Sequence, residues 1–199
     1  MRRFYGCCLL LLLLSGCAAQ QPDMQNDYYA VTMPSLSTLK TSKAKAKRQT
    51  PTLQSLNDTG SMRDIRKTLL SEFDAWAGTP YRLGGQSKVG VDCSSLVQQV
   101  YRDGFDIELP RTTTGQVLQG RRIDKAALKP GDLVFFKPSR RYRHVGIYVG
   151  EGYFLHASSS QGVKLSRLDN PYWSQHYWQS RRPLDQTELA MRSLAQNDS

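Results

Sequence analysis

The rhythm of apolar residues changes once along this chain, at Pro130-Gly131, and that change limits the folds open to it. Before it, apolar side chains recur at helical spacing. Ser61 is placed to cap a helix running to about Ala77, with Ile65, Leu69, Leu70, Phe73 and Trp76 three or four residues apart. Gly78-Thr79-Pro80 stops it, and the Gly-rich stretch from Tyr81 to Val91 reads as a loop. A second helix is expected from Asp92 or Cys93, because Cys93, Leu96, Val97, Val100 and Tyr101 form one continuous stripe. A short helix is expected over Thr113 to Gln119. After the Pro-Gly turn the runs are short and β-rich: Asp132 to Lys137, His144 to Val149, Tyr153 to Ser158, Val163 to Leu168 and Trp178 to Arg182. Helices first and antiparallel strands after predict an α+β domain, N-terminal helices packed on one antiparallel sheet, over residues 61–183.

The flanks read differently. Arg2 and Arg3 precede an apolar run from Cys7 to Leu14, too short for a bilayer span of about 20 residues. A charged head, a short apolar stretch and small residues read as a secretory signal over 1–16. Leu14-Ser15-Gly16-Cys17 resembles a bacterial lipobox, in which the cysteine is lipidated and becomes the mature N-terminus. An ordinary signal with an incidental cysteine is the alternative. Residues 17–60 are rich in Ser, Thr, Gln, Asn and Pro and carry Lys43-Ala44-Lys45-Ala46-Lys47-Arg48. They are expected to form a flexible tether, spanning about 35 Å on average as a coil. The tail 184–199 is polar and expected to fray.

Removal of the leader takes Cys7 and Cys8, and lipidation takes Cys17, so Cys93 is the one free thiol left. The formal charge of +10 becomes +8 without Arg2 and Arg3. A basic balance suits an anionic surface, and export excludes nucleic acid as the expected partner.

Cys93 opens its predicted helix, where the unpaired amides and the positive end of the dipole favour a thiolate. A base is still required to carry the proton to a leaving amine. If Gly150 to Gly152 form a three-residue turn, Val149 pairs with Tyr153 and His144 with Ser158. His156 then lies diagonally beside His144 on one sheet face, because side chains alternate with period two. One imidazole can then serve Cys93 while the other orients it. Asp92, Ser94 and Arg111 are candidate substrate contacts. Asp92 also reads as a helix cap, and Arg111 as the partner of a neighbouring aspartate. His176 reads as structural or substrate-lining, and Arg140 to Arg143 as a solvated loop.

Gly78-Thr79-Pro80-Tyr81 with Gly84-Gly85, then Val91-Asp92-Cys93-Ser94-Ser95-Leu96-Val97, resembles the nucleophile region of the NlpC-type cell-wall cysteine peptidases. Leu109-Pro110-Arg111-Thr112 with Gln116, Lys129 to Phe136, His144 to Tyr148 and Phe154 to Ser158 match the same family in order and spacing, over Ile65 to Arg182. The resemblance implies a compact papain-like fold, Cys93 as nucleophile, His144 as base and His156 as the residue orienting it. It implies that the Tyr81 hydroxyl joins backbone amides near Cys93 and Ser94 as oxyanion donors. Many members carry Gly where this chain has Ser95, which is expected to narrow the approach to the sulfur. The lipobox and tether resemble the small lipoproteins of the family, which cut peptidoglycan stem peptides without a cofactor.

The resemblance favours hydrolysis of the D-alanine–diaminopimelate cross-link. The alternatives are the D-glutamate–diaminopimelate bond and a non-catalytic wall-binding lipoprotein. A zinc site of Cys93, His144 and His156 has suitable ligand types but no evident fourth ligand. Ala18 after Cys17 follows the pattern associated with sorting to the outer membrane of Gram-negative bacteria, facing the periplasm. A wall hydrolase has to be restrained, so a regulatory adaptor or protease is an expected partner that no residue here identifies.

Overall fold

The computed structural model describes residues 53–197, and the side chains of 59–196. The leader, Cys17 and most of the predicted tether lie outside the described residues. The chain runs through α1 (Leu53–Trp76), a small hairpin of β1 (Gln86–Ser87) and β2 (Gly90–Val91), α2 (Cys93–Phe105), α3 (Thr113–Gln116) and β3 (Arg121–Ile123). There follow β4 (Leu133–Phe136), β5 (His144–Gly150), β6 (Tyr153–Ser158), β7 (Gly162–Arg167), α4 (Pro171–His176), β8 (Tyr177–Arg182) and α5 (Gln186–Asn197). Six strands form one antiparallel sheet in the order β3-β8-β4-β5-β6-β7. The fold class is the α+β arrangement expected.

Strand parity divides the sheet into two faces. Leu133, Phe135, Val145, Ile147, Leu155 and Ala157 pack with Leu69, Leu96, Val100, Tyr101 and Leu189 from the three long helices in the main core. Val134, Phe136 and Phe154 point the other way, against Leu168 and the half-buried Tyr148, Trp173 and Tyr177. That is why Leu133 to Phe136 is apolar without alternation: the strand is buried on both sides. Beside it, Arg182 donates to both carboxylate oxygens of the fully buried Asp132 at 2.7 Å, tying β8 to the start of β4.

Three expectations are corrected. Helix α1 begins at Leu53, so Ser61 lies inside it and caps nothing. The tail does not fray: α5 packs on α1 and α2, with Leu189, Ala190 and Ser193 buried. Its apolar stripe is narrow, but Asp185 accepts from the Glu188 N–H at 2.9 Å, a helix-starting pattern legible as Asp185-x-x-Glu188. The β5–β6 turn has two residues, Glu151 and Gly152, both at positive φ, and Gly150 pairs with Tyr153 across a bulge. Beyond that bulge the expected register holds, with Ile147 opposite Leu155 and Tyr148 opposite Phe154.

Candidate active site

Helix α2 begins where strand β5 begins. Asp92 caps the helix, accepting from the Ser95 N–H at 2.8 Å and from the Gly84 N–H at 3.0 Å. The cap presents Cys93 as the first helical residue, 6% exposed. The Val145 backbone N–H donates toward its sulfur, and the Thr113 hydroxyl lies 3.9 Å away. The first turn is held from outside as well: Gln116 donates to the carbonyls of Ser94 and Pro110 at 2.8 and 2.9 Å.

His144 and His156 occupy the second sheet face. His144 Nε2 and His156 Nδ1 are 3.0 Å apart, the diagonal contact that parity predicted. Gly146 makes it possible. A Cβ there would sit 2.6 Å from a Phe154 ring carbon and 3.2 Å from the His156 Cβ. With Nε2 engaged, Nδ1 is the nitrogen of His144 left for proton transfer. The Tyr142 hydroxyl stands 3.5 Å from it and also bonds to Tyr81. Trp173 stacks on His144 with centroids 5.1 Å apart and meets His156 edge-on at 4.9 Å. On the far side of His156, Nε2 lies 2.8 Å from the Ser166 hydroxyl.

A cavity of about 310 Å³ opens over Cys93. Tyr81, Leu83, Asp92, Ser94, Thr112, Thr113 and Thr114 form one part of its wall, and Arg141, Tyr142 and Arg143 another. His144 is 2% exposed and lies behind Tyr142.

Burial sets the protonation states. It pushes the Cys93 thiol above its ordinary range, with the Val145 N–H and Thr113 hydroxyl pulling the other way. It pushes His144 down to about 4, and His156 well below its usual value, where the neighbouring His144 and Lys164 add repulsion. Desolvation thus works against the thiolate expected from the helix terminus, and on both imidazoles it favours the neutral form. Burial raises Tyr81 and Tyr142, so both phenols stay protonated donors. For Asp92, burial acts upward, but hydrogen bonds from Arg111, Ser95 and Ser94 outweigh it and keep the carboxylate ionised.

The other sequence candidates sort as follows. Tyr81, Asp92 and Ser94 line the cavity. Arg111 does not: its guanidinium forks onto Asp92 at 2.6 and 3.0 Å and reaches the Ser94 hydroxyl at 3.1 Å, so it braces the cap rather than facing substrate. Ser95 is fully buried under the helix and leaves the approach to the sulfur open. His176 contacts the Tyr172 carbonyl at 2.7 Å and is structural. Among the described residues no group of three or more His, Cys, Asp or Glu is placed to hold a metal ion.

Sequence reasoning missed Tyr142, Ser166 and Trp173. Tyr142 is hidden in an arginine-rich loop and Trp173 in a short helix. Ser166 was reachable, because the parity that joins the histidines extends one strand further.

Residues 78–182 match the NlpC/P60 family, over half of the chain. "Probable endopeptidase NlpC homolog" of Haemophilus influenzae is 51% identical over 116 residues, 58% of this chain and 62% of that protein. "Murein DD-endopeptidase MepS/Murein LD-carboxypeptidase" of Escherichia coli is 42% identical over 124 residues, 62% of this chain and 66% of that one. The chain thus spans slightly less than two thirds of each of these relatives. Among solved structures, an NlpC/P60 family protein from Bacillus cereus aligns with a TM-score of 0.55 and 30% identity, covering 60% of this chain and 40% of that one. The peptidoglycan hydrolase RipB of Mycobacterium tuberculosis aligns at 0.52 and 26%, covering 63% and 68%. The ordered sequence blocks, the papain-like sheet and the cysteine at the head of α2 thus have one origin: the chain belongs to the NlpC/P60 family.

Proposed function

We propose that this protein is a cysteine-type peptidoglycan endopeptidase acting on stem peptides. The observation that carries this reading is the head of α2, where Cys93 faces a cavity and takes the Val145 N–H from the strand that also carries His144, itself hydrogen-bonded to His156. Cys93 transfers its thiol proton to His144 Nδ1 as the sulfur attacks the scissile carbonyl. The Ser94 amide, which points toward the sulfur, and the Tyr81 hydroxyl on the cavity wall serve as donors to the developing oxyanion. His144 then returns its proton to the leaving amine, and water cleaves the thioester to free the acid and restore the thiol. His156 holds His144 in orientation. Tyr142 covers the base, its hydroxyl 3.5 Å from His144 Nδ1. Arg141 and Arg143 on the cavity wall suit the free carboxylates of stem peptides.

The D-alanine–diaminopimelate cross-link is the favoured bond, supported by the similarity to a murein DD-endopeptidase. The D-glutamate bond is the second reading, favoured by 39% identity over 110 residues to a "Gamma-DL-glutamyl hydrolase" of Bacillus subtilis, 53% of this chain and 26% of that one. The lipobox at Leu14 to Cys17 and Ala18 support anchoring by lipid to an outer membrane, facing the periplasm.

Digestion of purified cross-linked muropeptides by residues 20–199, with Cys93→Ala as control, tests the reading. Conversion of dimers to monomers only with Cys93 present supports it. Cuts within monomer stems move the bond to D-glutamate–diaminopimelate. No products from a folded, reduced protein favour a wall-binding lipoprotein.

A further inference from the structure

Three side chains form a file across three neighbouring strands on the second sheet face. His144 on β5, His156 on β6 and Ser166 on β7 are successive diagonal neighbours, since His156 pairs with Lys164 and Phe154 with Ser166 across β6–β7. The links measure 3.0 Å from His144 Nε2 to His156 Nδ1 and 2.8 Å from His156 Nε2 to the Ser166 hydroxyl. Both ring contacts of His156 are therefore occupied.

A neutral imidazole carries one N–H and one lone pair, so the two links are not independent. If Ser166 accepts, His156 holds its proton on Nε2 and offers a lone pair at Nδ1. His144 must then hold its proton on Nε2, and its Nδ1 lone pair is free. If Ser166 donates instead, His156 is protonated at Nδ1 and His144 at Nδ1, and His144 has no lone pair left for a thiol proton. Both arrangements give every ring hydrogen an acceptor, since in the second His144 Nδ1–H faces the Tyr142 hydroxyl at 3.5 Å, but only the first leaves His144 a lone pair for a thiol proton.

We propose that Ser166 is a positioning residue for catalysis: by accepting from His156 Nε2 it selects, through both imidazoles, the tautomer of His144 whose Nδ1 can take the thiol proton. The proposal rests on the reading of His144 as the base for Cys93. Burial keeps both rings neutral near pH 7, so tautomer choice rather than charge decides whether Nδ1 is available. A serine suits the end of the file because its hydroxyl receives one hydrogen while giving another, which a terminal methyl cannot do.

The test is two-bond proton–nitrogen correlation NMR of the reduced full-length protein at pH 7, with muropeptide kinetics alongside. The chain has only three histidines, so His176→Gln and His156→Gln, each removing one set of signals, assign the spectrum. The expected wild-type spectrum has His144 and His156 both protonated at Nε2. In Ser166→Ala, His156 loses that single state, and kcat falls about tenfold with KM within about twofold. Ser166→Thr, which keeps the hydroxyl, restores both. A wild-type His156 protonated at Nδ1 overturns the proposal and needs no variant to fold. So does Ser166→Ala with unchanged tautomers and kcat. An inactive wild type with the expected tautomers overturns the peptidase reading instead, and leaves the hydrogen-bonded file standing.

Discussion

The two faces of the sheet are built from the same strands and do different work. The helix-covered face is closed, aliphatic and aromatic, and packs three helices at once. The opposite face has a small patch of Val134, Phe136, Phe154 and Leu168, and sets two imidazoles among aromatic rings. One face supplies stability mainly through apolar burial. The other desolvates titratable groups, which costs stability and tunes their chemistry. Cys93 comes with the helices of the first side and His144 from the second, and α2 touches β5 where the Val145 N–H reaches the sulfur.

Substitutions that separate the two faces test this division. The largest effect is expected at the junction: Cys93→Ala lowers kcat on muropeptides at least about 10³-fold, with a free energy of urea unfolding within about 1 kcal/mol of wild type. The opposite signature is expected at Phe135→Ala on the helix face. Its fully buried ring leaves a cavity costing about 3–5 kcal/mol in urea unfolding. Equal losses of stability and activity at both positions would erase the distinction.

A pH series sharpens it next. His144 and His156 take up protons near pH 6.5 when unfolded, but only far lower when folded. The unfolded state thus binds more protons below pH 6.5, and stability falls as pH drops from 6.5 toward 4. A folded value of about 4 for His144 corresponds to about 3 kcal/mol. Urea midpoints between pH 7 and 4.5 measure this, and His144→Gln should flatten the slope. A wild-type slope equal to that of the variant would show that the ring is not desolvated.

Gly146→Ala is expected to cost about 1–3 kcal/mol, because the new methyl meets Phe154 and pushes His156 off His144. Its kcat should fall more than its stability explains, read by comparing kinetics well below the unfolding midpoint. The smallest effect is expected at Tyr142→Phe, about two- to fivefold in kcat/KM, since one hydroxyl contact to Nδ1 is lost while the ring still covers His144. An unchanged kcat/KM would reduce Tyr142 to packing.

The sequence made much of this readable for local reasons. The stripe from Cys93 to Tyr101 specifies helix α2 and puts the sulfur at its head, and Asp92 caps it. Period-two parity over His144 to Tyr148 and Phe154 to Ser158 places both histidines on one face, and the register holds because the turn is one residue shorter than expected and the bulge at Val149 adds that residue back. The tail was misread because Leu189, Ala190 and Ser193 make too narrow a stripe to stand out among polar neighbours. Arg111 was ambiguous, since a guanidinium has no sequence mark telling carboxylate brace from substrate contact.

What the sequence determined by itself was the α+β class, most of the long elements and the shared facing of the two histidines, because each depends on spacing within a few residues. Tertiary structure alone decided the protonation states, the Tyr142 cover, the stacking of Trp173 and the contact with Ser166. Those depend on which surfaces lose water when distant segments pack, and desolvation is a property of the assembled fold rather than of any stretch of chain.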